Sequence, residues 1–379
     1  MATTSYVKYR PEVENIKPGF DQKEKVITED IKKYIHQSSE KSKTSYATRD
    51  AHAKGYAALK AQFEVLGNLP AELAQGFYAW PGKYEAVVRF SNGSARVTSD
   101  KNSGKAMGIA IKVLGVGGSC TLEDEAECGN FDYNMINWPV FFCNSADHYR
   151  YIDKLFLKVN DYFAKGTLGR LKFMYHWLTG IGTFFPNKQS WKEFRAFSSF
   201  QKIKPENTLL HTFYSMGAVR HGDYIAKLRA APVHAYAQKV NRRTLDVDAA
   251  DQVFGPALIA EIKEHDYAFD IQVQLCTDLK QMPVNDLTKE WPEELSPYRT
   301  VGRLYIPRQD VSGPENFEVM EHLSFTPFRC FKENEPIGEL QRTRKEAYRT
   351  SSTLRHQLNN TKRKEPQNLN EIFGNGTTA

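Results

Sequence analysis

His52 is the residue in this chain best suited to moving protons, in the stretch Arg49-Asp50-Ala51-His52-Ala53-Lys54-Gly55. The flanking alanines leave room for a flat ligand to lie against the backbone, where an imidazole can take up and return a proton. Taken alone, a single histidine is more readily a core side chain that has found a partner. A second pattern lies near the C-terminus, where Arg344 and Tyr348 are four residues apart. On a helix that spacing puts both on one face, so a guanidinium can donate to the phenolic oxygen. A phenol whose unperturbed pKa is about 10 is a poor ligand at neutral pH unless such a donor favours its ionised form. Arg355, seven residues beyond Tyr348, falls on roughly the same face and can pair with an anion. Between Gln341 and Lys364 there are eight Lys/Arg and a single Glu. Apart from Arg344 and Arg355, those charges are assigned to solvent, with a nucleic-acid patch as the less favoured alternative.

Four segments, in order along the chain, resemble the haem catalases. The His52 stretch is similar to that family's distal Arg-x-x-His-Ala-Lys-Gly. Val88-Arg89-Phe90-Ser91 is similar to its Val-Arg-Phe-Ser strand, and Asn137-Trp138-Pro139-Val140-Phe141-Phe142 to its Asn-Thr-Pro-x-Phe-Phe. The Arg344, Tyr348 and Arg355 spacing is that of the proximal helix, and Glu321 with Phe325-x-Pro327 echoes a further pattern. The resemblance implies haem b with Tyr348 as the iron ligand, tuned by Arg344. It implies that His52 is the acid–base group, that Ser91 orients it, and that Asn137 positions the peroxide. Arg49, Arg89 and Arg355 would hold the propionates, and Phe142 would belong to the cofactor pocket. Peroxide cleavage would then run through a ferryl intermediate.

This chain also departs from the pattern. Only 31 residues follow Tyr348, so the wrapping and helical segments of full-length catalases, and with them NADPH, are not expected. Ala51 stands for valine, Asn92-Gly93 for Thr-Val, Trp138 for threonine, and Thr350-Ser351-Ser352 for Asp-Thr-His. A wider, reshaped distal pocket favours the small catalase-related haem peroxidases. The expected reaction is reduction of hydrogen peroxide or organic hydroperoxides by an organic electron donor, with weak or no catalase activity. The alternatives are an allene oxide synthase-like rearrangement of hydroperoxides, true catalase activity, and a haem-binding or sensor protein without turnover. A barrel carrying another apolar ligand is disfavoured, since such a ligand needs neither Arg344 nor Tyr348.

The elements that must hold these residues follow from the patterning. Of 379 residues 41% are hydrophobic and 25% charged, ordinary for a globular chain, and 23 Phe with 19 Tyr suit packing around a flat cofactor. A net charge of +6 without a basic repeat predicts no nucleic-acid partner. Five cysteines (Cys120, Cys128, Cys143, Cys276, Cys330) lack any Cys-x-x-Cys, against a disulfide framework or structural zinc. Met1–Pro18 has no apolar secretory core, and no apolar run nears the roughly 20 residues of a membrane span. A cytoplasmic homodimer is expected.

Tyr56, Leu59, Phe63 and Leu66 recur at three- and four-residue steps and predict a helix. Alternation predicts strands at Tyr84–Phe90, Met107–Val113, Asp132–Ile136, His211–Ser215, Tyr224–Arg229, Tyr267–Cys276 and Thr300–Ile306. Helices are predicted at Thr28–Ile35, Ala146–Val159 and Glu339–Asn360, with loops and short helices over 168–200. The expected fold is α+β: a catalase-like antiparallel β-barrel of about eight strands with helical insertions and a long C-terminal proximal helix. Residues 1–48 form an arm, 49–360 the haem-binding domain, and 361–379 a tail.

Overall fold

The computed structural model describes residues 5–156, 158–179 and 188–374. Its strands are β1 (Gly55–Val65), β2 (Gly82–Asn92), β3 (Met107–Val113), β4 (Phe131–Ile136), β5 (Phe213–Ser215), β6 (Val219–His221), β7 (Tyr224–Pro232), β8 (Tyr267–Leu275) and β9 (Arg299–Ile306). All pairings are antiparallel. β1 pairs with both β2 and β9, the chain of pairing runs β2-β3-β4-β5, and β5 pairs with β7, which leads back through β8 to β9. Eight strands therefore close on themselves, and β6 continues the edge of β7 that β5 leaves unpaired. Closure removes the open edges that would otherwise invite association.

The helices are α1 (Phe20–Ser42), α2 (Ala146–Phe156), α3 (Val159–Phe163), α4 (Gly166–Thr179), α5 (Lys188–Ser199), α6 (His234–Ala237), α7 (Phe254–Glu264), α8 (Glu315–His322), α9 (Glu339–Leu358) and α10 (Leu369–Phe373). The side-chain period of two sorts each strand. Val88 and Phe90 of β2, Ile109 and Ile111 of β3, and Tyr133 and Met135 of β4 fill the barrel. Arg89 and Ser91, Gly108, and Asp132 take the opposite, outer face. The site described below lies against that outer wall.

The predicted helix at 56–66 is instead β1. Leu59, Ala61, Phe63 and Val65 point into the barrel, while Ala58 packs with Val87 against Met320 and Leu323 of the α8 region. The large side chains Tyr56, Leu59 and Phe63 fall at helical steps, but from Leu59 to Val65 buried apolar residues alternate with Lys60, Gln62 and Glu64, as a strand requires. The helix predicted at Thr28–Ile35 is a 23-residue helix, α1, whose Ile27, Ile31 and Ile35 pack with Ala347 and Leu354 of α9. Ala146–Val159 breaks into α2 and α3. The 168–200 stretch holds two helices of 14 and 12 residues, α4 and α5, with 180–187 outside the described residues.

Two of the charges assigned to solvent are in fact engaged. Arg342 is clamped by Glu14 and Glu335, and Arg363 pairs with Glu125. The tail is anchored by Glu365, which accepts from Lys112 at 2.6 Å and pairs with Arg329 at 2.8 Å. The start of α9 is fixed as well. Gly338 takes φ +104°, where a Cβ would press on Asn285, and the Asn285 side chain accepts from the Glu339 amide.

Candidate functional site

His52 sits in the loop before β1 with φ +54°, a left-handed conformation uncommon for residues other than glycine. Its surroundings hold it there. Arg89 donates to the His52 carbonyl at 2.9 Å, and the Ala53 amide donates to Ser94 O at 3.0 Å. The β1–β2 register shifts between Gly55 and Ala57, a bulge that redirects the chain as it enters the barrel. The imidazole then packs directly over Gly108 of β3. A Cβ at that glycine would stand 2.4 Å from His52 Cε1, so no other residue fits beneath the ring.

His52 Nδ1 is 3.1 Å from Ser91 Oγ, which fixes the ring and leaves Nε2 as the other nitrogen. Burial, reinforced by Arg89, Arg344 and Arg49, pulls the imidazole pKa down to about 4. At neutral pH it is an uncharged base. Asn137 lies one step away. Its Oδ1 accepts from the Met107 amide at 2.8 Å, next to Gly108, and Nδ2 donates to Lys105 O at 3.2 Å. One hydrogen of that amide remains for another acceptor. Trp138, expected to reshape the pocket, donates its indole N–H to Ser199 Oγ at 2.8 Å and stacks near Phe200. Phe142 joins an aromatic cluster on the inserted helices, with ring contacts to Phe141, Phe156, Trp177, Phe197 and Phe200.

Beside the histidine is a group of three arginines, Arg89 and Arg355 buried and Arg49 partly so. Arg49 donates to Glu321 Oε2 at 2.6 Å and to the carbonyls of Met320 and Leu323. Arg355 donates to Leu323 O at 3.1 Å and to Glu321 O, and Arg89 Nη2 lies 3.9 Å from Glu321 Oε1. Burial pushes the Glu321 carboxyl up, but the three guanidiniums more than offset it and hold it below the usual range. The arginines are less comfortable. Burial and then Arg49 bring Arg89 down to about 9, and the same causes push Arg355 well below its ordinary value. Arg89 Nε is buried without a hydrogen-bond partner among the described residues. The cluster carries more positive charge than Glu321 neutralises.

Opposite stands α9. Arg344 donates to the Tyr348 hydroxyl at 3.0 Å and to Gln341 Oε1 at 2.9 Å, with its guanidinium 5.2 Å from the phenol ring centroid. One turn on, Ser351 donates to Asp50, two residues before His52, at 2.5 Å. The helix carrying Tyr348 is thereby tied to the loop carrying His52. The field of Arg344 reaches the imidazole as well.

No protein-family model matches the sequence, and no curated protein sequence matches it either. Solved structures do. A fungal catalase superposes with TM-score 0.62 at 16% identity over 89% of this chain and 68% of its own. Catalase A from Saccharomyces cerevisiae gives 0.61 at 18% identity, over 89% of this chain and 70% of its own. A bacterial catalase gives 0.54 at 16% identity, over 88% and 62%. The chain has the catalase fold.

Within that fold the sequence-derived residues fall into three groups (His52 with Ser91 and, through Met107, Asn137; Arg49 with Arg89 and Arg355; Arg344 with Tyr348), while Phe142 lies apart from them in the aromatic cluster of the inserted helices. Four further contributors had no site role in the sequence reading. Glu321 was visible only as part of a similar pattern. Gly108 carries no distinguishing signal among 24 glycines. Asp50 and Ser351 are 301 residues apart and meet only through the fold.

Proposed function

We propose that this catalase-fold chain is a haem-dependent oxidoreductase acting on peroxides. Its preferred reaction is reduction of hydrogen peroxide or an organic hydroperoxide at the expense of an organic donor, rather than catalase dismutation. The observation that carries this reading is the pairing of an uncharged His52, braced by Ser91, with an α9 phenol that receives a guanidinium hydrogen bond. A carrier needs no such base.

The residues present fit haem b. Arg49 and Arg89 face the one Glu321 carboxylate, Arg355 donates to its backbone carbonyl, and the buried Arg89 Nε–H has no acceptor among the described residues. Two propionates would supply the missing negative charge and acceptors through charge-assisted hydrogen bonds. Tyr348, whose oxygen accepts a hydrogen bond from Arg344, would be the residue that holds ferric iron. When bound, the haem supplies the redox centre at which the O–O bond is broken.

The protein's own part is proton handling and positioning. His52 Nε2 takes the proton of the incoming peroxide and returns it to the departing oxygen, so that water or an alcohol leaves. Ser91 Oγ keeps the ring in one orientation throughout. The remaining N–H of Asn137 donates to the peroxide and holds it within reach of the imidazole. Residues 49–360 are proposed as the unit that does this, without NADPH, in a cytoplasmic homodimer. No helix among the described residues is long and apolar enough to cross a membrane.

The test is turnover of haem-loaded protein with hydrogen peroxide and with cumene hydroperoxide, oxygen evolution being followed beside oxidation of a phenolic donor. Donor oxidation exceeding oxygen release supports the reading. Rapid oxygen release without donor would make it a true catalase, and haem binding without turnover would make it a carrier or sensor.

A further inference from the structure

The helices inserted between β4 and β5 differ from the rest of the molecule in charge and in surface. Residues 158–202 carry eight Lys/Arg and two Asp/Glu, a net charge equal to the +6 of the whole chain. Everything outside this segment is balanced to neutrality. Of its two acids, Glu193 is buried against His148, so the exposed face is more basic still.

The same segment exposes apolar side chains in a pattern. α4 buries Gly169, Phe173 and Trp177 on one side. Its opposite side presents Leu168 (80% exposed), Leu171 (51%) and Tyr175 (49%), spaced three and four apart as a single stripe. Trp191 on the neighbouring α5 is also exposed. A helix apolar on two faces needs a partner for the outer one. Around the stripe, Lys165, Lys172 and Arg195 are exposed and form no ion pair among the described residues.

We propose that this face docks on an anionic lipid surface, with the Leu168-Leu171-Tyr175 stripe entering the acyl boundary and the surrounding cations meeting the headgroups. Leucines and aromatics on one face, rimmed by Lys and Arg, are the composition of a helix that lies in the plane of the interface. Trp191 and Tyr175 suit the headgroup depth, where one end of the ring is wet and the other dry. Charge argues against the simplest rival. A second copy would bring the same excess of positive charge onto the same patch, whereas anionic headgroups neutralise it. The surface stands independently of the haem reading, and it adds where the enzyme would work: at a membrane surface.

The experiment is co-sedimentation of the full chain with vesicles of phosphatidylcholine alone and with about 30% phosphatidylserine, at low and high salt. The expected result is binding to the anionic vesicles at least about tenfold above the neutral ones, released by salt. Leu168→Ser with Leu171→Ser should lower it by about tenfold more, because the contact buries both side chains. Leu279→Ser, an exposed leucine elsewhere, should change nothing. Circular dichroism of each variant confirms folding. The proposal is overturned if anionic vesicles do not carry the protein down, or if the double variant binds as the wild type does. It is equally overturned if vesicles are ignored while the double variant abolishes a dimer seen by light scattering, or abolishes binding of a single-stranded oligonucleotide.

Discussion

Ser351 of α9 donates a 2.5 Å hydrogen bond to Asp50, and together with the Asn359–Ala47 pair it joins the helix bearing Tyr348 to the loop bearing His52. Burial pushes the Asp50 carboxyl up, while the Ser351 hydroxyl and two backbone amides work in the opposite direction.

Ser351→Ala is therefore expected to destabilise the fold by about 1–2 kcal/mol, the worth of one hydrogen bond to a carboxyl that keeps its two backbone donors. Urea unfolding measures it. Asp50→Asn keeps an acceptor for the same hydroxyl and should cost less. Equal and negligible effects from both variants would show that the tie is incidental.

His52→Ala is expected to keep the fold and lower peroxide turnover of the haem-loaded protein by about 10²–10⁴-fold. Ser91→Ala, which removes only the orienting partner, should give a smaller loss. Stopped-flow peroxide consumption distinguishes them, and a His52→Ala variant at the wild-type rate would remove the imidazole from the chemistry.

Three histidines give the acid limb of stability its sign. Burial pulls His52, His211 and His221 each down to about 4. Unfolding returns them to about 6.5. The unfolded chain therefore binds more protons between those values, and stability falls as pH drops from about 6.5 towards 4. His221→Gln should reduce proton uptake on unfolding near pH 5 by about one proton. Turnover, by contrast, should stay flat down to about pH 5, because His52 remains uncharged there. An unchanged proton uptake in the variant would contradict the buried, neutral state of His221.

The C-terminal segment is held by charge. Lys112 and Arg329 are fully buried and share Asp132 and Glu365. Burial opposes ionisation of Glu365, but the two cations more than offset it and hold its carboxyl at about 2. Its stabilising effect is present above the unfolded value of about 4.3 and is lost as pH falls towards 2. Glu365→Gln is expected to cost about 3–5 kcal/mol, because it leaves buried cations undercompensated. A variant as stable as wild type in guanidinium unfolding would show that the tail is not anchored there.

The barrel was largely legible in the sequence. Met107–Val113 alternates strictly although both its faces are buried, because its outer positions are the small Gly108 and Ala110 and the ion-paired Lys112, and its predicted limits coincide with β3. β1 was misread as a helix because its large side chains Tyr56, Leu59 and Phe63 fall at three- and four-residue steps, although Leu59–Val65 alternates as strictly as β3. Local spacing sufficed to pair Arg344 with Tyr348, since a helix makes that contact from sequence distance alone. It did not suffice for the arginine cluster, where Arg49, Arg89 and Arg355 meet around Glu321 from four separate elements. No local pattern distinguishes a buried carboxylate from a surface one.

The most direct measurement is a haemin titration of the purified protein beside Tyr348→Phe, followed by absorption and resonance Raman spectroscopy. The account predicts one haem per chain, with an iron–phenolate signature in the wild type that Tyr348→Phe removes. A protein that stays colourless with added haemin, or a variant with the wild-type spectrum, would contradict it.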